Sequence, residues 1–166
     1  QSRLSILAAC EDPNTIALFN FDGVTYPLPQ TGQMWLEHEL LTNPDADGFF
    51  CVSTSYRNEP NPIDGRHKKI FPMFEFETKG NMKDMIKLED ELLEFLGFER
   101  DYIHCTYEGL CERYETEILE AEHEERMNKE IGSKIFLKEF PKRTHPFWNM
   151  NEDMTKGIFS KVDVIL

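Results

Sequence analysis

Apolar and polar positions alternate with period two along Phe50–Arg57. Phe50, Val52, Thr54 and Tyr56 fall on one face of a strand, and Cys51, Ser53, Ser55 and Arg57 on the other. A second run alternates the same way: Phe71, Met73, Glu75 and Glu77 share a face, with Pro72, Phe74 and Phe76 opposite. The connection Asn58–Lys69 is rich in Pro, Gly and Asn. The pattern predicts neighbouring antiparallel strands. One sheet face then carries Arg57, hydroxyls, an aromatic ring and two carboxylates. That mixture suits a polar ligand better than a core. Glu59, Arg66, His67, Lys68 and Lys69 in the connection suit a polyanion.

The rest of the pattern frames this hairpin. Ser2–Cys10 is short and apolar, helix or strand. Thr15–Phe21 and Val24–Leu28 read as strands around Asp22-Gly23, a type I′ turn signal. Thr31 or Gly32 can cap a helix to about Leu41, whose apolar set is broad enough for a buried helix. Asn81–Leu96 is amphipathic, with Gly97 closing it. A stripe through Leu110, Tyr114, Ile118 and Ala121 predicts a second long helix over Tyr107–Ile131, with the acidic run Glu120–Glu125 as a solvated face. Ser133–Phe140 and Lys161–Leu166 read as strands, and His145 as a loop histidine. The fold class is α+β: a mainly antiparallel sheet flanked by helices.

Composition narrows the picture. The 166 residues suffice for one domain with a core, and 40% hydrophobic content indicates a globular chain. A net charge of −13 argues against a nucleic-acid footprint spread over the surface, but not against a local basic loop. Cys10, Cys51, Cys105 and Cys111 lack metal-type spacing and read as reduced thiols of a cytoplasmic protein. No apolar run reaches transmembrane length, so no membrane partner is expected.

Arg57-x-Glu59, a short loop, Arg66-His67, then Phe71-x-Met73-x-Glu75-x-Glu77 resembles the second signature motif of class II aminoacyl-tRNA synthetases. The aspartate/asparagine/lysine subgroup is closest, and the asparaginyl type within it. Ile70 departs from the family's usual Glu. Gln30–Glu37 and Phe136–Leu166 carry further resemblance. In the latter, Trp148 stands for a family Tyr and Asn149 is added. Leu36 stands where aspartyl enzymes carry Lys, as in the asparaginyl pattern.

The resemblance implies activation of an amino acid with ATP and Mg2+. Arg57 would bind the α-phosphate and the attacking carboxylate, and act catalytically. Glu59 would accept from the adenine amino group, Phe71 would stack on the base, and Arg66 and His67 would clamp the distal phosphates. Thr31, Gln33 and Glu75 would bind the amino acid, asparagine or aspartate. Asp163 would help hold the metal. The family's following Glu and third motif lie past Leu166, and neither the first motif nor an anticodon-binding barrel is recognisable. The chain thus reads as residues 1–166 of one partial catalytic domain, a homodimer at full length, in the cytoplasm. Three functions are compatible: a synthetase with tRNA as acceptor, a related asparagine synthetase using aspartate, ATP and ammonia, and a non-catalytic paralogue.

Overall fold

Strand β1 (Leu18–Phe21) turns into β2 (Val24–Pro27) through Asp22 and Gly23, with Phe21 facing Val24 across the pair. Both turn residues have positive φ, 50° and 77°, as a type I′ turn requires. In this computed structural model residues 12–65, 67–99, 101–146 and 150–166 are described. The expectations for Ser2–Cys10, Arg66 and the Trp148 segment lie outside them. The chain divides into two units, Gln1–Lys79 and Gly80–Leu166.

In the first unit, the strand expected from Thr15 begins only at Leu18. Pro13–Thr15 form a single 3-10 turn instead, because the Asp12 carboxylate accepts from Asn14 N and Pro13 fixes the first helical φ. Helix α1 (Gln33–Thr42) follows Gly32 at its N-cap. Its burial is narrower than the pattern suggested: Leu36 alone is buried and Leu41 is 74% exposed. Strands β3 (Gly48–Tyr56) and β4 (Ile70–Thr78) then pair antiparallel, with Cys51 opposite Glu75, Ser53 opposite Met73 and Ser55 opposite Phe71. The polar face therefore assembles as the alternation demands. The reverse face carries Phe50, Val52 and Phe74, all largely exposed, with the Phe50 and Phe74 ring centroids 5.8 Å apart.

The second unit opens with α2 (Met82–Phe95), its N-terminus closed by a reciprocal Asn81–Asp84 capping box and its C-terminus followed by Gly97 at φ 95°. Strand β5 (Ile103–Thr106) precedes α3 (Tyr107–Tyr114) and α4 (Ala121–Glu130). Strands β6 (Ile135–Pro141), β7 (Glu152–Asp153) and β8 (Ile158–Ile165) complete a sheet of order β5-β6-β8-β7, antiparallel except for β5–β6. The core packs Tyr107, Leu110, Tyr114 and Met127 on Ile135, Leu137 and Phe140. Leu137 and Phe140 both face it because a bulge at Glu139 (φ 61°) inserts one residue between them.

The expected long helix over Tyr107–Ile131 is two helices. Glu115 adopts the left-handed conformation at the end of α3, and Thr116 N bonds back to Cys111 O. Tertiary bonds then hold the linking segment out of helical form. Leu119 N donates to the Tyr107 hydroxyl at 2.9 Å, and Arg143 Nε donates to Glu117 O at 2.9 Å. Arg143 also forks onto Glu108, beside a cavity of about 570 Å³ that Cys111 and Glu112 help to line. Among the described residues no helix is long and apolar enough to cross a membrane.

Candidate functional site

The polar face of β3–β4 meets the turn into α1 at Glu75, which is 6% exposed. Its carboxylate accepts from the Thr31 hydroxyl, from Gly32 N at 3.0 and 2.8 Å, and from the Ser53 hydroxyl at 2.8 Å. Thr31 Oγ1 in turn accepts from Gln33 N at 3.0 Å. The Cys51 thiol stands 4.0 Å from Oε2, and burial, reinforced by the Glu75 charge, raises its pKa. Gly32 is glycine for a local reason. A Cβ there would lie 3.0 Å from both Cys51 Sγ and Glu75 Oε2. The absent side chain lets the Gly32 N–H reach both carboxylate oxygens.

One turn along the same face, Gln33 Nε2 donates to Glu77. Burial raises the Glu77 pKa, the Gln33 bond opposes that, and the Glu37 charge adds to it. The result is an array of acceptors, Glu75, Glu77 and Glu37, with one amide. Among the described residues no cationic side chain contacts Glu75. Such an array can receive an ammonium or a neutral amide N–H, and it repels a free carboxylate.

At the other end of β3, Arg57 places its guanidinium 5.6 Å from the centre of the Phe71 ring. Its backbone is held from both sides: Arg57 N donates to Lys69 O at 2.8 Å, and Ile16 bridges it antiparallel. Glu59 is half-buried two residues on. In the connection, His67 N donates to Ile63 O and His67 Nδ1 accepts from Ile63 N at 3.1 Å. In the neutral ring that bond leaves the proton on Nε2, which can donate outward.

Of the residues singled out by sequence, contacts join Thr31 to Glu75 and set Arg57 on Phe71, while Gln33 reaches Glu77 rather than Glu75. His67 bonds instead to Ile63 within the connection. Asp163 belongs to the second unit, where Lys161 Nζ donates to it at 2.8 Å. Among the described residues no group of three His, Cys, Asp or Glu side chains could hold a metal. Sequence reasoning missed Gly32, Ser53 and Glu77 as participants. Alternation had placed Ser53 and Glu77 on the right face, but only the strand register and the α1 turn bring donors within reach.

No protein-family model and no curated protein sequence matches the chain. Solved structures do. Asparaginyl-tRNA synthetase from Entamoeba histolytica, in complex with asparaginyl-adenylate, superposes with TM-score 0.74 at 18% identity, over 91% of this chain and 42% of that one. Asparaginyl-tRNA synthetase from Pyrococcus horikoshii, also complexed with asparaginyl-adenylate, gives 0.75 at 19% identity, over 93% and 42%. Aspartyl-tRNA synthetase from Entamoeba histolytica gives 0.66 at 18%, over 84% and 36%. The chain thus has an asparaginyl/aspartyl-tRNA synthetase-like fold and spans about two-fifths of the length of those asparaginyl enzymes.

Proposed function

We propose that the protein activates asparagine with ATP, as a ligase of the asparaginyl/aspartyl-tRNA synthetase kind. One observation carries the choice of amino acid. This end of the site carries the buried carboxylate of Glu75 and the half-buried one of Glu77, with no contacting cation among the described residues. Asparagine's neutral side-chain amide meets no charge repulsion there. Aspartate's carboxylate would meet like charge, at a penalty of several kcal/mol of discrimination in a desolvated pocket. Support for adenylate chemistry comes from the two similar synthetases that hold asparaginyl-adenylate.

The reaction needs placement and charge neutralisation, not a protein nucleophile. A carboxylate oxygen of the amino acid attacks the α-phosphorus of ATP. A new O–P bond forms, and the bond to the β-phosphate oxygen breaks as pyrophosphate leaves. Arg57 holds the α-phosphate and the attacking carboxylate with its planar fork. Phe71 carries the adenine and Glu59 accepts from its amino group. Arg66 and His67 grip the distal phosphates, His67 through Nε2–H. Gln33 and Glu77 receive the α-ammonium, and Thr31 holds Glu75 in place. Magnesium would neutralise the phosphates. Asp163 would help to hold it. The acceptor of the activated asparagine is tRNA in this reading.

Isotopic pyrophosphate exchange into ATP tests the proposal on the protein at its full natural length. Exchange that depends on asparagine is expected, with aspartate at least about a hundredfold poorer, the scale of a misplaced buried charge. Exchange with aspartate alone would overturn the asparagine assignment and make the protein an aspartate-activating ligase.

A further inference from the structure

Gln30 is fully buried, yet its side chain is an amide. Burying an amide is unfavourable unless its bonds are made, so an apolar side chain would serve better if filling space were the whole task. Its three side-chain bonds among the described residues all go to one short stretch. Oε1 accepts from Asp12 N at 3.2 Å. Nε2 donates to Asp12 O at 2.9 Å and to Thr15 Oγ1 at 3.0 Å. With Asp12 the amide copies one rung of a β-ladder. The main chain around Gln30 grips the end of β3. The buried Ser55 hydroxyl donates to Gln30 O at 2.7 Å, and Tyr56 N donates to Pro29 O at 2.9 Å. The stretch held by the amide closes the circle: Ile16 bridges Arg57, and Asn58 N donates to Thr15 O at 2.7 Å. The next residue, Thr31, is the one that donates to Glu75.

We infer that Gln30 is a positioning residue that sets the Arg57 backbone against the Thr31–Glu75 pocket. The inference rests on the adenylation reading above. In-line attack requires the amino acid seated at the Thr31–Glu75 end to deliver its α-carboxylate to the phosphorus bound by Arg57. The two halves of that arrangement have Gln30 as their common support. A displacement of about 1 Å between reacting groups costs on the order of a hundredfold in rate. Breaking the Gln30 bonds therefore acts on turnover more than on either substrate's affinity.

Gln30→Met keeps the approximate volume and removes every side-chain bond. Thr15→Val removes one acceptor, and Thr15→Ser retains it. In the full-length protein, kcat for asparagine-dependent pyrophosphate exchange, per folded molecule, is expected to fall about ten- to a hundredfold in Gln30→Met. KM for ATP and asparagine should stay within about threefold. Thr15→Val should show part of the loss and Thr15→Ser none. Hydrogen exchange supplies an independent readout: the Tyr56 and Asn58 amides should lose protection while Val52 and Thr54 keep theirs. Wild-type kcat in Gln30→Met, beside an active parent, overturns the inference and leaves the proposed function standing. No exchange in the wild type with either amino acid overturns the proposed function and the catalytic part of the inference together. Unchanged protection at Tyr56 and Asn58 then overturns the positioning itself.

Discussion

Gly32 shows how one missing side chain shapes the pocket. Its φ of −96° is open to any residue, so the requirement is space, not backbone conformation. Gly32→Ala would bring a methyl to 3.0 Å from Glu75 Oε2 and Cys51 Sγ, close enough that both side chains must give by a few tenths of an ångström. Expected is a protein that still folds, losing about 1–3 kcal/mol as a buried carboxylate gives up a donor. Its KM for asparagine should rise more than its KM for ATP, which steady-state exchange kinetics would resolve. Arg57 makes the opposite kind of prediction. Arg57→Lys keeps the charge and removes the fork, so under the proposed adenylation the interaction lost is one that would strengthen as the pentacoordinate phosphorus forms. Exchange should drop about a hundred- to a thousandfold, with ATP affinity by calorimetry nearly kept. Equal rates would reduce Arg57 to a partner of the Phe71 ring. At this scale the sequence was informative about residue types and silent about bonds. Thr31 and Glu75 are visible as candidates, 44 positions apart. The proximity that makes Thr31 a hydrogen-bond donor to Glu75 comes from the α1 turn, which no local pattern encodes.

Among the elements, those with complete local signals were legible. Asn81 with Asp84 and Gly97 bound α2 as expected, and Asp22-Gly23 made its turn. The failure over Tyr107–Ile131 has a tertiary cause. Neither Gly nor Pro marks the break, and Glu115 takes a left-handed conformation against its own preference. The opposing bonds come from Tyr107 and Arg143, the latter distant in sequence. Strand β5 was missed because four residues offer too short a period to read, and its partner is parallel and remote. Packing of α2 on β8 carries a pH signature. Burial, with the Asp163 charge second, pushes the Glu89 carboxyl up to about 7. Its Oε2 is buried with no hydrogen-bond partner among the described residues. A raised carboxyl pKa means that the native state binds more protons than the unfolded chain between the ordinary value of 4.5 and about 7. Stability therefore falls as pH rises across that window. Glu89→Gln, which imitates the protonated form, should match the wild type near pH 4 and melt progressively higher than it up to pH 8. Calorimetric scans across that range check this, and parallel curves would contradict it.

For the molecule as a whole, the front of β3–β4 was readable to the residue because pairing preserves the alternation: Cys51 meets Glu75 and Ser55 meets Phe71. The division after Lys79 was not, since Gly80 resembles any other strand breaker. The two-faced hairpin also limits how this protein can change its length. Adding or deleting one residue within Gly48–Tyr56 or Ile70–Thr78 would turn the remainder of that strand over, sending Phe50 or Phe74 inward and Glu75 or Ser53 outward. Length drift over generations must therefore be channelled into the Asn58–Lys69 connection, where closing a longer loop costs only about 0.6 kcal/mol per doubling. A library of single-codon insertions, selected for soluble protein and sorted by sequencing, should return survivors dense between Pro60 and Asp64 and almost none within the strands. Relatives of differing length would then be expected to differ at this connection first, so it is the part of the molecule that descent can lengthen while the spacing of the strand faces stays fixed.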